Sequence, residues 1–174
     1  NLELSLNELA HLGRPFIIKP ANTTGGGIGV VMGAETLANV LEARQTHKGD
    51  KYLLQETIIP IELGGKRAWF RTFFAFGTIF LSWWDDQTHI YEAVSLEEER
   101  LYNLTELRTL TSRIADVCHL DFFSTELAFT ADSRIVSVDY VNEMCDMRYK
   151  SHHADGVPDE IVNSIVEKLL DFIS

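Results

Sequence analysis

Two carboxylates and an amide stand in adjacent apolar segments in the second half of the chain. Glu126 lies in "STELAF", and Asp139 and Asn142 lie in "VSVDYVN". An antiparallel hairpin would bring the two segments side by side. A carboxylate buried without a partner in an apolar strand is costly, whereas carboxylate and amide oxygens suit Mg²⁺ as hard ligands. The residue types therefore predict a magnesium site, with a solvated sheet face as the alternative.

A glycine-rich stretch, "KPANTTGGGIGVV", follows the first apolar run. It lacks the Gly-Lys-Ser/Thr of a P-loop, and a strand rather than a helix follows it, which excludes a dinucleotide-binding turn. Glycines allow backbone N–H groups to approach an anion closely, and Lys19 supplies a positive charge for a phosphate. The stretch is either a turn that needs positive φ or a loop that holds phosphate.

Composition restricts the class of protein. The 174 residues are 45% hydrophobic, which suffices for one globular domain or two small lobes, and the formal net charge is −11. This acidic balance argues against nucleic acid and anionic membranes as general partners. The two cysteines fit a reducing compartment, so we expect a cytoplasmic protein, and no segment is long and apolar enough to cross a bilayer.

The periodicity predicts an α+β protein with mostly antiparallel sheets in two lobes, joined near residues 55–62. The expected strands are "RPFIIK", "IGVVM", "KYLLQETII", two in "RAWFRTFFAFGTIFLSWW" that turn at Gly77-Thr78, and the hairpin of "DFFSTELAFTADSRIVSVDYVN". The expected helices are "SLNELAHLG", "AETLANVLEARQTH" ended by Gly49, "LTELRTLTSRIADVCHL" and "VPDEIVNSIVEKLLDFI". We interpret "ELGGK" as a loose connection and "SLEEER" as a solvated acidic segment. The apolar stripe of the third helix comprises Leu104, Leu107, Leu110, Ile114 and Val117.

The order of these features resembles the ATP-grasp superfamily over nearly the whole chain. The matching segments are "PFIIKPANTTGGGIGV", the hinge strand "YLLQE", "RTFFAFG", a helix, "DFFSTELAF" and "VSVDYVN". The segment "RTFFAFG" is similar to the corresponding strand of the ribosomal-protein glutamate ligase branch. The resemblance implies a smaller lobe over residues 1–57, a larger lobe over residues 58–174, and a nucleotide cleft between them.

The resemblance also implies roles for individual residues. Lys19 and the glycine loop would contact the phosphates, the hinge would bind adenine through its backbone, and Glu62 would accept the ribose hydroxyls or else face solvent. The expected nucleotide-binding residues are Lys19, Thr24, Gly25, Gly26, Gly27, Gln55, Glu56, Ile58, Glu62 and Val138, with further apolar walls from Ile17, Val31 and Leu54. The expected Mg²⁺ ligands (Mn²⁺ being an alternative ion) are Glu126, Asp139 and Asn142, and the residues expected to steady the transferred phosphoryl group are Arg71 and Arg148. A surface ion pair is the alternative for each arginine.

The sequence departs from the family in the spacing of its metal ligands. The usual acid-x-Asn pattern places both side chains on one strand face, whereas Asp139 and Asn142 are three residues apart. A β-bulge would return them to one face, and we expect one here. Without it, one of the two is not a ligand and Glu143 could take its place.

The function implied is that of an ATP-dependent carboxylate–amine (or thiol) ligase that acts through an acyl phosphate. The alternatives are an ATP-grasp small-molecule kinase and a non-catalytic nucleotide-binding or interaction module. ATP and a small-molecule or peptide carboxylate would be the ligands. In this family a further domain precedes these lobes and carries much of the substrate site, so we expect the present chain to be part of a longer protein.

Overall fold

A computed structural model of the chain describes residues 6–22 and 28–174. It is an α+β structure with antiparallel sheets, as the sequence predicts. The chain divides into two units, Asn1–Thr57 and Ile58–Ser174. Each unit has its own sheet and its own apolar core.

The first unit is a three-stranded antiparallel sheet, in the order β2-β1-β3, with two helices. Its elements are α1 (Leu6–His11), β1 (Phe16–Pro20), β2 (Val31–Ala34), α2 (Leu37–Thr46) and β3 (Tyr52–Glu56). Buried Phe16 and Ile18 lie on the face of β1 that packs against Val40 and Ala43 of α2. The predicted pairing of the first two strands is present, although β2 begins three residues later than "IGVVM" does.

Helix α2 begins at a capping box and ends before the predicted glycine. The Thr36 hydroxyl accepts from the backbone N–H of Asn39, and the Asn39 side chain accepts in return from the Thr36 N–H. The helix ends at Thr46, not at Gly49, because the backbone N–H of His47 donates to the Tyr52 hydroxyl at 3.3 Å. A tertiary contact thus determines the end of this helix.

The second unit is built on a five-stranded antiparallel sheet in the order β10-β9-β6-β7-β8, with a separate two-stranded ribbon, β4-β5. The strands are β4 (Glu62–Leu63), β5 (Lys66–Arg67), β6 (Trp69–Ala75), β7 (Thr78–Trp84), β8 (Tyr91–Ala93), β9 (Phe122–Phe129) and β10 (Ile135–Asn142). The helices are α3 (Leu96–Leu101), α4 (Thr105–Cys118) and α5 (Asp159–Ile173).

The large sheet is covered on both faces, and this explains why β6 is almost continuously buried. Phe70 points to the face that packs against α4, and Phe73 points to the opposite face, which packs against α5. The turn between β6 and β7 lies at Phe76-Gly77, one residue before the predicted position, and both residues have positive φ, as a tight hairpin requires.

Several short elements depart from the sequence-based expectation. The "ELGGK" segment forms the β4-β5 ribbon, in which Gly64 has φ of +59° and lies too close to the Tyr102 hydroxyl for any side chain. The "SLEEER" segment forms α3, which begins with a capping box between Ser95 and Glu98. The predicted apolar stripe of α4 includes Val117 wrongly, because that side chain is 70% exposed.

Across the described part of the chain, none of the helices has both the length and the hydropathy that a membrane span needs.

Candidate functional site

A row of charged side chains crosses three neighbouring strands of the larger sheet. Arg71 of β6 lies directly opposite Glu126 of β9, and Glu126 lies directly opposite Asp139 of β10. Directly opposed residues of an antiparallel sheet point to the same face. The sheet therefore brings one guanidinium and two carboxylates together on the face that α5 covers farther along the strands.

Two shifts in the register of β10 place Asn142 on this same face. Between Ser137 and Asp139, β10 has one residue more than β9, and it has another extra residue between Asp139 and Asn142. As a result Asn142 lies opposite Ser124, two residues from Glu126 along β9. The irregularity that the three-residue spacing requires is present, and it returns the amide to the carboxylate face.

A side chain on β9 compensates for the interrupted ladder. The Thr125 hydroxyl donates to the backbone carbonyl of Asp139 at 3.0 Å. Thr125 lies between Glu126 and Ser124 in the strand, so its side chain points to the opposite face of the sheet. The backbone carbonyl at the bulge thus receives its hydrogen bond from the α4 side of the sheet. The Asp139 carboxylate lies on the other face, and the residue is exposed.

Arg71 and Glu126 form an ion pair that is nearly removed from solvent. The Nη2 atom of Arg71 contacts Oε1 of Glu126, and the two side chains are only 10% and 14% exposed. The indole N–H of Trp69 donates to Oε2 of Glu126 at 3.2 Å. A second guanidinium atom, Nη1, donates to the Ser124 hydroxyl at 3.4 Å. The carboxylate is therefore held from two sides.

One polar atom of Arg71 is buried without a partner. Its Nε has no hydrogen-bond acceptor among the residues described. The guanidinium carbon lies 4.8 Å from the centre of the Trp84 ring, which supplies a cation–π contact. A buried donor without a partner is costly, and a ligand oxygen at this position would satisfy it.

The donor atoms of the row fit a magnesium ion by their chemistry. Glu126 and Asp139 offer carboxylate oxygens, and Asn142 offers Oδ1, which already accepts from the Met144 backbone N–H at 3.0 Å and keeps a second lone pair. Mg²⁺ typically takes one or two carboxylates and completes its shell with water and substrate phosphates. In the described residues no group of three or more His, Cys, Asp or Glu side chains could hold a metal. Any ion here would therefore depend on the amide and on ligand oxygens.

Arg148 is engaged by two aspartates in the segment that precedes α5. Its Nη2 lies 2.8 Å from Asp146 Oδ2 and 2.9 Å from Asp155 Oδ2. The hydrogen bonds that Arg148 donates to these carboxylates raise its pKa. Burial acts to raise the pKa of Asp146, but the hydrogen bonds from Arg148 outweigh it and lower that pKa. This arginine joins two points of one loop, and its proposed contact with a phosphoryl group remains a prediction.

The residues of the predicted nucleotide site are divided between the two units. In the first unit, Lys19 lies opposite Leu53, and Gln55 lies opposite Ile17, so Lys19, Gln55 and Ile17 share one face of the sheet. Glu56 ends β3 and is exposed. Thr24, Gly25, Gly26 and Gly27 lie outside the described residues.

Two of the expected adenine contacts are wrong. Val31 and Leu54 both lie opposite Ile18 and pack into the first unit's own core, on the face away from Lys19. The alternation of β1 explains this, because residues 17 and 18 must point to opposite faces.

The remaining nucleotide-binding candidates belong to the second unit. Ile58 is half-buried, and Glu62 is exposed in β4, opposite Arg67. Val138 is the extra residue at the first register shift of β10 and is half-buried. Their contacts with a nucleotide remain predictions.

Three residues of the site were not anticipated from the sequence. Trp69 and Ser124 contact the Arg71–Glu126 pair, and Trp84 covers the guanidinium. Trp69 could have been predicted as a neighbour of Arg71, because two residues that are two apart in a strand share a face. No sequence signal could have found Trp84 or Ser124, because the strand register that brings β7 and β9 beside β6 is not encoded locally.

Comparison with known proteins gives only distant structural likenesses. No family model and no curated protein matches the chain. A solved structure that does match is described as the macrocyclase MdnC bound with precursor peptide MdnA from Microcystis aeruginosa MRC. The identity is 14% and the TM-score 0.45, over 80% of this chain and 43% of that one. The chain thus spans less than half of the structure it matches.

Proposed function

We propose that this chain is the Mg-ATP-binding part of an ATP-grasp enzyme, an ATP-dependent carboxylate–amine (or thiol) ligase. ATP would phosphorylate a bound carboxylate, and the nucleophile would then displace phosphate from the acyl phosphate. Lys19 and the loop residues 24–27 would bind the phosphates of ATP. The residues that would bind the nucleoside are Gln55, Glu56, Ile58, Glu62 and Val138.

The observation that carries the proposal is the double register shift of β10. A regular strand would point Asp139 and Asn142 to opposite faces. The shifts return both to the face that holds Glu126 and Arg71. Bulges are frequent at sheet edges and beside active sites, where they re-aim side chains, and here two of them align an amide with two carboxylates, as a metal site requires.

The row suits phosphoryl transfer by charge and by shape. Glu126, Asp139 and Asn142 would hold the ion, which when bound neutralises charge on the phosphate oxygens. Arg71 lies beside them on β6, with a buried Nε that an oxygen of the transferred group would satisfy. A planar guanidinium binds such oxygens bidentately, so Arg71 would orient the phosphoryl group while Trp69 keeps Glu126 in place.

The test is the thermal stability of the full-length protein with ATP, in the presence and absence of Mg²⁺. At about a hundredfold excess of ATP over its Kd, we expect the melting temperature to rise by about 5 °C or more, and only with the metal. The variant Asp139→Asn should lose most of this increase. Asp139 is exposed, so the substitution leaves the core untouched.

Asp116→Asn is the matched control. It removes the same charge from an exposed position on α4, on the opposite side of the sheet, and should keep the full increase. An ATP effect that is absent, or that is equal without metal, would overturn the proposal in favour of a non-catalytic module. A phosphate-release screen against carboxylates and hydroxyl compounds, with and without an amine, then separates a ligase from a kinase.

A further inference from the structure

Trp84 and Arg71 are diagonal neighbours on one face of the large sheet. Arg71 lies directly opposite Ser82 of β7, and Trp84 is two residues farther along that strand. Residues two apart in a strand share a face, and a diagonal neighbour is within reach of a long or aromatic side chain. The guanidinium carbon accordingly lies 4.8 Å from the centre of the Trp84 ring. The strand register thus places an aromatic ring against the arginine that stands beside the carboxylates.

This ring contact differs in kind from the two hydrogen bonds that hold the same guanidinium. Nη2 of Arg71 donates to Glu126, and Nη1 donates to the Ser124 hydroxyl at 3.4 Å. Each of these bonds occupies an N–H group, whereas the face of an indole attracts the cation through its ring quadrupole. Trp84 therefore holds the arginine and leaves its N–H groups available, among them the buried Nε–H that has no partner in the part of the chain described.

The difference matters when the proposed ligands bind. Glu126 is expected to share its charge between Arg71 and a metal ion, which weakens its hold on the arginine. Oxygens of a phosphoryl group would also compete for the N–H groups that Glu126 and Ser124 now receive. The contact with Trp84 competes with neither ligand, because the ring offers no oxygen to the ion and occupies no donor of the arginine.

The Trp84 ring is itself fixed by two further rings. The imidazole of His89 lies nearly parallel to it, at 6° and with centroids 5.4 Å apart, and the buried Tyr91 ring packs at 4.4 Å. The backbone places both residues, because Tyr91 lies directly opposite Trp84 in the sheet and the His89 N–H donates to the Asp85 carbonyl at 2.8 Å. A rotation of the indole away from Arg71 would break these contacts.

We propose that Trp84 is a positioning residue of the phosphoryl-transfer site. Its ring keeps the Arg71 guanidinium in place while the N–H groups of that side chain bind the oxygens of the transferred group. The inference rests on the proposed function for the role of Arg71, although the hold of the ring on the guanidinium exists without any ligand. A tryptophan that only fills space would affect ADP and ATP alike, whereas a positioning residue affects the γ-phosphoryl group alone.

The test compares the Kd of MgATP with that of MgADP, measured by titration calorimetry on the full-length protein. Trp84→Leu should weaken MgATP about tenfold and change MgADP by less than about twofold, because ADP lacks the group that Arg71 would bind. Trp84→Phe keeps an aromatic face, a weaker one than indole, and should weaken MgATP only about threefold. An unchanged ratio of the two Kd values in Trp84→Leu would refute the proposal.

Trp83→Leu is the matched control. Trp83 is the adjacent residue of β7, packs into the core on the α4 side, and has its own cation–π contact, with Lys66 Nζ at 5.1 Å. The same substitution there should lower the stability of the protein and leave the ratio of the two Kd values unchanged. If both variants change the ratio equally, damage to β7 is responsible and the contact with Arg71 is not.

The hold of the ring on Arg71 is measured on the free protein, without nucleotide or metal. In the ¹⁵N-labelled protein, Trp84→Phe should move the Arg71 Nε–H resonance toward its value in free arginine and speed its hydrogen exchange, because the ring above the guanidinium is smaller. Trp83→Phe should do neither. Both phenylalanine variants keep an aromatic side chain, so this comparison stands even if a leucine variant does not fold. An Arg71 resonance that is the same in both would count against the proposal.

The outcomes separate this inference from the proposed function. A parent protein that shows no Mg-dependent binding of ATP would remove the proposed function, and the role of Trp84 with it. A parent protein that binds MgATP, together with an unchanged Kd ratio in Trp84→Leu, would remove the role of Trp84 alone.

Discussion

In the proposed enzyme, Glu126 would contact two cations, the Arg71 guanidinium and the metal ion. Its carboxylate contacts Arg71, accepts from Trp69, and stands in the row expected to hold a metal. Because both members of the ion pair are nearly buried, neither can lose its partner without leaving a charge in a medium of low dielectric constant. Removal of either partner alone should therefore destabilise the fold, whatever part the pair has in the proposed chemistry.

We expect Glu126→Gln to lower the free energy of unfolding by about 3 kcal/mol, because it leaves the Arg71 guanidinium buried without a counter-charge. The double variant Glu126→Gln/Arg71→Met removes the uncompensated charge and should recover about half of the loss. Urea denaturation of the single and double variants, without nucleotide, measures both values.

Asp171→Asn provides the control for that comparison. Asp171 pairs with Lys168 on the surface of α5 at 3.5 Å, with 74% of its side chain exposed, so the urea midpoint should stay close to the parent value. If both single variants lose the same stability, the burial of the Arg71–Glu126 pair has no energetic consequence. This result would also count against its role in ordering the site.

At the scale of elements, β10 determines the geometry of the site. Deletion of Tyr140 converts the spacing of Asp139 and Asn142 to acid-x-Asn and removes the second register shift. Tyr140 is 50% exposed, so little packing is lost. We expect this variant to fold and to keep its Mg-dependent stabilisation by ATP, because both side chains remain on one face of a regular strand. Differential scanning fluorimetry with and without Mg²⁺ tests it.

The exchange Val141→Asn/Asn142→Val is the matched comparison. Composition and length are unchanged, but the amide moves to the face where Val141 packs against the α4-side core. This variant should lose the Mg-dependent response and some stability, because an amide replaces an apolar contact. A deletion variant that folds but no longer responds to Mg-ATP would show that the bulge itself, and not the shared face, forms the site.

The long elements could be predicted from the sequence because their patterns are local. The Asp132-Ser133 turn and the apolar spacing of α5 are readable without any knowledge of the fold. The α3 capping box between Ser95 and Glu98 is also a local pattern, but the run of acidic residues led us to interpret the segment as a solvated one. The β4-β5 ribbon could not be predicted, because each of its strands has only two residues and so shows no alternation of polar and apolar side chains.

The candidate site divides in the same way. The residue types predicted the acidic row, and the spacing of Asp139 and Asn142 predicted a bulge that the register confirms. The approach of Trp84 to Arg71 depends on pairing between strands, which no local pattern encodes. The misplaced Val31 and Leu54 have the same cause, since the face of a short strand depends on its register.

For the whole molecule, acidic groups limit stability at low pH. The pKa values of Asp85, Glu98, Glu99 and Asp146 are lowered in the folded state. A group whose folded pKa is lowered stabilises the fold above its unfolded pKa, which is near 4 here, and this contribution is lost as the pH falls through the folded value. The contribution of these four groups should therefore be complete above about pH 5 and should fall as the pH is lowered from there.

At high pH, stability is limited by buried groups that stay protonated in the folded state. Burial raises the pKa of Tyr91 to about 12 and also raises that of Cys145. The stabilisation from such a group is complete below its unfolded pKa and is lost as the pH rises through the folded one. For Tyr91 this interval runs from pH 10 to about 12.

Tyr91→Phe isolates this contribution, because it keeps the buried ring and removes the hydroxyl. Between pH 10 and 12 the parent protein should lose up to about 2–3 kcal/mol more stability than the variant does, since two pKa units correspond to that energy. Both proteins share the earlier loss from Cys145, so the difference between their urea denaturation curves reports Tyr91 alone. Curves that stay parallel through this interval would mean that the Tyr91 hydroxyl reaches water in the folded state. The packing of Tyr91 against the Trp84 ring would then be looser than their ring contact indicates.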